Sequence, residues 1–95
     1  MPYTIIEGKR YDLSKFYAVP NCRLRENHGI SREGIWVTKS GRVIVETYSA
    51  WASSRNDGTV VGTQYHFADP EEIANLAAEL DDERLTELVP MADDA

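Results

Sequence analysis

The chain has 95 residues, with one cysteine, 42% apolar and 27% charged residues, and a formal net charge of −6. That suffices for one domain with a modest core and is too apolar for a wholly disordered chain. No apolar run approaches the roughly 18–20 residues of a membrane span, and a lone cysteine excludes an internal disulfide.

Three blocks follow in chain order. In the first, Tyr3-Thr4-Ile5-Ile6 reads as a short strand. Glu7-Gly8 turns it back into Arg10-Tyr11-Asp12-Leu13, giving a small hairpin. Residues 14–19 suit one helical turn or an irregular loop, broken by Pro20-Asn21. Cys22-Arg23-Leu24-Arg25 alternates apolar with basic, which fits an edge strand with its arginines outward. Residues 26–34 are polar and glycine-bearing, so a loop is expected there.

The second block is a meander of three antiparallel strands. Ile35-Trp36-Val37-Thr38-Lys39 and Val43-Ile44-Val45-Glu46-Thr47-Tyr48 are rich in β-branched and aromatic residues. A two-residue Ser40-Gly41 turn would join them, since glycine accepts the positive φ such turns need. That register sets Thr38 opposite Val43 and Trp36 opposite Val45. One face would carry Trp36, Val43, Val45 and Trp51. The other, wetter face would carry Ile35, Val37, Ile44, Glu46 and Tyr48. A loop over 52–58 leads to a third strand over 59–67, with Val61, Tyr65 and Phe67 on one side and His66 opposite.

The third block is helical. Asp69 can accept hydrogen bonds from the orphan N–H groups of a helix start, and Pro70 suits the first helical position. Glu72 completes a capping box. Ile73, Leu76, Ala77 and Leu80 repeat at helical spacing. Asp81-Asp82 stops this helix and caps a second, whose stripe is Leu85, Leu88 and Val89 before Pro90. The expected fold is α+β: an antiparallel sheet of hairpins and meander with one or two C-terminal helices on one face. Residues 1–90 form the single domain, and 91–95 a frayed acidic tail.

Chemistry finds little purchase in this pattern. Cys22, His28 and His66 lack the paired short spacing of a zinc site, so no metal or cofactor is expected. Arg23 and Arg25 flank Cys22, but on a strand their side chains point away from it. No nucleophile elbow or phosphate-binding glycine loop occurs. The carboxylate pairs Glu71-Glu72 and Asp81-Asp82-Glu83 are accounted for by helix capping. No catalytic residue is assigned, and the chain is not expected to be an enzyme.

Charge is more informative. Residues 1–67 hold nine Lys or Arg against six acids, whereas residues 68–95 hold one Arg against ten acids. The acidic block could meet a basic protein surface, with Glu71, Glu79, Asp81, Asp82 and Glu83 as first contacts. The alternative is single-stranded nucleic acid on the sheet, bound by Arg23, Arg25, Arg42 and Arg55 with Tyr48 stacking on a base. Arg32 and Lys39 would add to that charge. A sequence pI near 4.8 is unlike the basic domains that usually do this. The uncovered strand edge at residues 22–25 offers a route to a homodimer.

The hairpin over 35–48, the strand over 59–67 and the acidic helices opening at Asp69-Pro70-Glu71-Glu72 resemble, in size and layout, the small phage-encoded inhibitor proteins of the anti-CRISPR type. The resemblance covers about two thirds of the chain. It implies a non-catalytic inhibitor that blocks a nucleic-acid-guided effector complex by direct contact. The N-terminus has no basic segment followed by an apolar stretch. The expected compartment is therefore the cytoplasm, the host's if the chain is phage-encoded, with no membrane partner.

Overall fold

A computed structural model describes residues 3–25, 29–52 and 59–91, with backbone alone at 50–52 and 59–61. The chain is α+β. Strands β1 (Tyr3–Ile6) and β2 (Lys9–Asp12) form an antiparallel hairpin. Glu7 (φ 54°) and Gly8 (φ 81°) are both left-handed, the conformation a two-residue type I′ turn demands. Asp12 then accepts the Ser14 N–H at 3.1 Å and caps a 3₁₀ turn over Leu13–Lys15. The Ser14 hydroxyl, which donates to the same Asp12 oxygen at 2.6 Å, holds the Asp12 carboxyl below its ordinary range, with the N–H adding to it.

The main sheet contains β3 (Tyr17–Ala18), β4 (Leu24–Arg25), β5 (Ile30–Val37), β6 (Val43–Ala52) and β7 (Thr59–Phe67). β5, β6 and β7 make the expected antiparallel meander, and β3 and β4 pair along the outer edge of β5. Residues 30–34, expected in a loop, belong to β5.

The hairpin register differs from the expected one. Val37 pairs with Val43, Trp36 with Ile44 and Ile35 with Val45. Thr38 N–H donates to the Arg42 carbonyl at 2.8 Å, and Gly41 N–H donates to the Thr38 carbonyl at 3.0 Å. The loop is therefore three residues, 39–41, with Gly41 left-handed at φ 91° in its last position. A three-residue loop moves the register by one, which exchanges faces on one strand.

The consequence is a sheet covered on both sides. Ile35, Val37, Val43 and Val45 join Val19, Cys22, Leu76, Ala77 and Leu85 in a core under the helices. Ile44 turns to the opposite face and packs with Ile6 and Leu13 of the N-terminal hairpin and turn. Trp36, Tyr65 and Phe67 flank this second core. Gly34 lies beneath Trp36: a Cβ there would meet the indole at 2.5 Å. The side chain of Trp51 and that of Val61 lie outside the described residues.

Helices α1 (Pro70–Leu80) and α2 (Glu83–Glu87) cover the first core. The start of α1 has the expected N-cap, with Asp69 accepting the Glu72 N–H at 2.8 Å, but the Glu72 carboxylate lies against His66 instead of closing a capping box. Asp69→Ala should cost about 0.5–2 kcal/mol by loss of this cap. Urea unfolding checks it, and an unchanged midpoint would remove Asp69 from that role. Asp81 is left-handed at φ 52° and ends α1. No helix among the described residues is long and apolar enough to cross a membrane.

Candidate interaction surface

The acidic block divides into carboxylates that hold the fold and carboxylates that face water. Asp82 belongs to the first group. It is buried, accepts the Leu85 N–H at 3.0 Å to cap α2, and accepts the Tyr17 hydroxyl at 2.9 Å. The hydrogen bond to this carboxylate pushes the Tyr17 phenol above its ordinary range. Asp82 is thus occupied within the domain and is not presented to a partner. Arg84 lies over the same Tyr17 ring, 5.0 Å from its centroid.

Glu79 is partly in the same group. Its two oxygens meet the Arg32 guanidinium at 2.6 and 3.4 Å. The hydrogen bond from Arg32 holds the Glu79 carboxyl below its ordinary range. Arg32 is 8% exposed, and its Nε also donates to the Cys22 carbonyl at 2.6 Å. Arg32 is therefore a buried tie between β5, the segment before β4 and α1. A β-bulge at Glu33 makes this possible. The extra residue resets the alternation, so Arg32 rather than Glu33 turns toward the helices.

The second group is Glu71, Asp81, Glu83 and Glu87. All are exposed. Among the described residues none of them forms an ion pair. Glu72 differs, lying 3.2 Å from His66 Nε2. His66 thus faces the helices, opposite Tyr65 and Phe67, as its strand position implies.

Of the described residues expected to hold a nucleic-acid strand, Arg23 and Tyr48 share a groove, and Arg25 and Arg42 are not part of its lining. Arg25 is exposed on the short β4. Arg42 lies over the Phe67 ring, 3.5 Å from its centroid, at the far end of the hairpin. Arg23 is paired with Glu33 at 3.2 Å. Arg55 and His28 lie outside the described residues. Tyr48 does line an open groove of about 420 Å³ with Arg23, Glu33, Glu46 and Thr63. Two of those five side chains are carboxylates. Glu46 accepts the Tyr65 hydroxyl at 3.0 Å. Burial, and then this bond, push the Tyr65 phenol above its ordinary range. Sequence reasoning treated Glu33 and Arg32 as loop residues and so missed both their roles.

Cys22 is buried in the helical core. Among the described residues no cluster of three His, Cys, Asp or Glu could hold a metal, and every buried side-chain nitrogen or oxygen has a partner. In comparisons with family models, curated proteins and solved structures, nothing matches this chain.

Proposed function

We propose that the chain is a non-catalytic protein-binding module whose helical layer docks on a basic surface. The type of target is one that small phage-encoded inhibitors engage, a nucleic-acid-guided effector complex. The observation that carries the reading is the group Glu71, Asp81, Glu83 and Glu87. These carboxylates are exposed on one layer and take no ion-pair partner among the described residues. A basic partner surface would be complementary in charge to this layer. Glu79 and Asp82 leave the contact set, because Arg32 and the α2 cap already occupy them. A nucleic-acid strand is the rival ligand. Glu33 and Glu46 beside Tyr48 weigh against it by repelling phosphate.

The test is capture of a purified nucleic-acid-guided effector by the immobilised chain at low and high salt. It is repeated with the triple reversal Glu71→Lys, Asp81→Lys, Glu83→Lys. Capture should fall at least about tenfold on reversal and also fall with salt, because screening shortens the reach of exposed charges. Capture that ignores both changes removes the acidic layer as the contact. No capture of any such effector removes the target class.

A further inference from the structure

A second open groove, of about 610 Å³, runs between β1 and β7. Its walls are Tyr3, Thr4 and Ile5 on one side and Thr63, Gln64 and Tyr65 on the other. Successive side chains of a strand point to opposite faces. A groove that touches three consecutive residues of each strand therefore lies along their edges. What an edge offers is main chain.

The direction of that main chain follows from its neighbours. Ala68 N–H donates to the Val43 carbonyl at 2.9 Å, so residue 68 faces β6. Backbone groups alternate sides from residue to residue. Those of His66 and Gln64 then also face β6, and those of Thr63 and Tyr65 point out of the sheet. On β1 the closing pair of the two-residue turn is Ile6 with Lys9. Ile6 and Thr4 face β2, which leaves Tyr3 and Ile5 facing outward. Among the described residues β7 pairs only with β6, and β1 only with β2. Among the described residues no backbone hydrogen bond joins the two edges.

β1 approaches β7 here, but the β7 sequence lacks the residue types that usually guard an edge. Natural sheets blunt open edges with Lys, Pro or inward charges. Residues 59–67 contain no Lys, Arg, Asp, Glu or Pro. Beside the groove Ile5 is 71% exposed and Tyr3 44%. Arg10 is the one charged residue of the lining among the described residues, its guanidinium 5.3 Å from the Tyr3 ring. It makes the groove locally positive, in the half of the chain where basic residues outnumber acids.

We infer that this groove takes an extended segment of a partner protein by β-strand addition, with a carboxylate of that segment facing Arg10 and apolar side chains over Ile5. Affinity comes from the outward main-chain groups of Thr63 and Tyr65 or of Tyr3 and Ile5, and the flanking side chains set the preference. The site is separate from the acidic helical layer and does not depend on that layer having a partner.

Main-chain recognition tolerates many sequences, so one well-chosen probe is a fair test. The probe is a synthetic octapeptide of alternating valine and threonine with a central glutamate, titrated into the full chain and followed by amide NMR shifts. Saturable binding is expected, with the largest shifts at Tyr3, Ile5, Thr63 and Tyr65. N-methylation of alternate peptide amides should weaken it about tenfold, the scale of one lost hydrogen bond. Thr63→Pro should do the same without loosening the β6–β7 ladder, since its N–H points outward. Arg10→Glu should weaken the glutamate peptide and not its glutamine counterpart. No saturation at millimolar peptide, or equal binding of the methylated peptide, overturns the proposal. So does self-association in sedimentation that Thr63→Pro abolishes, because a second copy would then be the occupant. The methylated peptide needs no protein variant, so the test stands even if the proline variant fails to fold.

Discussion

Leu85→Ala should destabilise the domain by about 2–5 kcal/mol, the range for emptying a fully buried leucine site. Leu85 is 0% exposed although its helix has only five residues. Such a helix has no stability of its own, since isolated helices become marginal only at about 12–15 residues. It is held from outside chiefly by the Asp82 cap with its Tyr17 tie and, second, by the Leu85 side chain in the core, beside the partly buried Leu88 and Val89. Removing the second leaves α2 held by polar contacts and the partly buried Leu88 and Val89, and it also uncovers Leu76 and Ala77, which share that core. A domain of this size has roughly 5–10 kcal/mol in total, so the loss should be visible as a large fall in urea midpoint. Leu24→Ala is the control: Leu24 is 38% exposed and should shift the midpoint little. Equal midpoints for the two variants would mean that α2 is not docked on the sheet.

The helical block was legible because its signals are local. Asp69 before Pro70, the stripe at Ile73, Leu76, Ala77 and Leu80, and the Asp81-Asp82 stop each act within a few residues, and α1 has the bounds they imply. The third strand was legible for the same reason. The hairpin register was not, because it depends on whether Gly41 closes a two- or a three-residue loop. Both loops satisfy glycine's left-handed φ, and only the backbone pairing of Thr38 with Arg42 distinguishes them. A better signal was present in Val43-Ile44-Val45. A continuous apolar run in a strand indicates burial on both faces, which is how these residues sit, under the helices and under the N-terminal hairpin. In the acidic block, composition identified the charged residues but not their partners. Glu79 and Asp82 read like Glu71 and Asp81 in sequence, and only the positions of Arg32 and Leu85 separate them. The open edge of β7 depends on which strands pair, and composition has no bearing on it.

Arg32→Ala should cost about 2–4 kcal/mol, more than most surface charge changes by a wide margin. Arg32 sits on β5 with 8% of its surface exposed, and its partners are the Cys22 carbonyl and Glu79. The alanine variant empties space beneath α1 and strands that carbonyl away from water, each a named source of large loss. Glu79 has a side chain 44% exposed, so water can take over its solvation. Glu79→Gln should therefore cost less, about 1 kcal/mol after allowance for screening. It leaves the buried guanidinium with a neutral acceptor in place of a carboxylate. The pH dependence separates this pair from simple packing. The folded chain holds the Glu79 carboxyl below its ordinary range through the Arg32 hydrogen bond. A lowered carboxyl adds stability that is fully present above the unfolded value, about 4.3 for glutamate. That stability disappears as pH falls through the lowered folded value. The gap in urea midpoint between the native chain and Glu79→Gln should thus be widest above about pH 5 and shrink steadily in more acid solution. Leu85→Ala removes no titrating group, and its gap should stay nearly constant over the same range. If the Glu79→Gln gap is also constant, the Arg32–Glu79 bond does not contribute to stability in solution. The tie between β5 and α1 would then rest on the Cys22 carbonyl and packing alone.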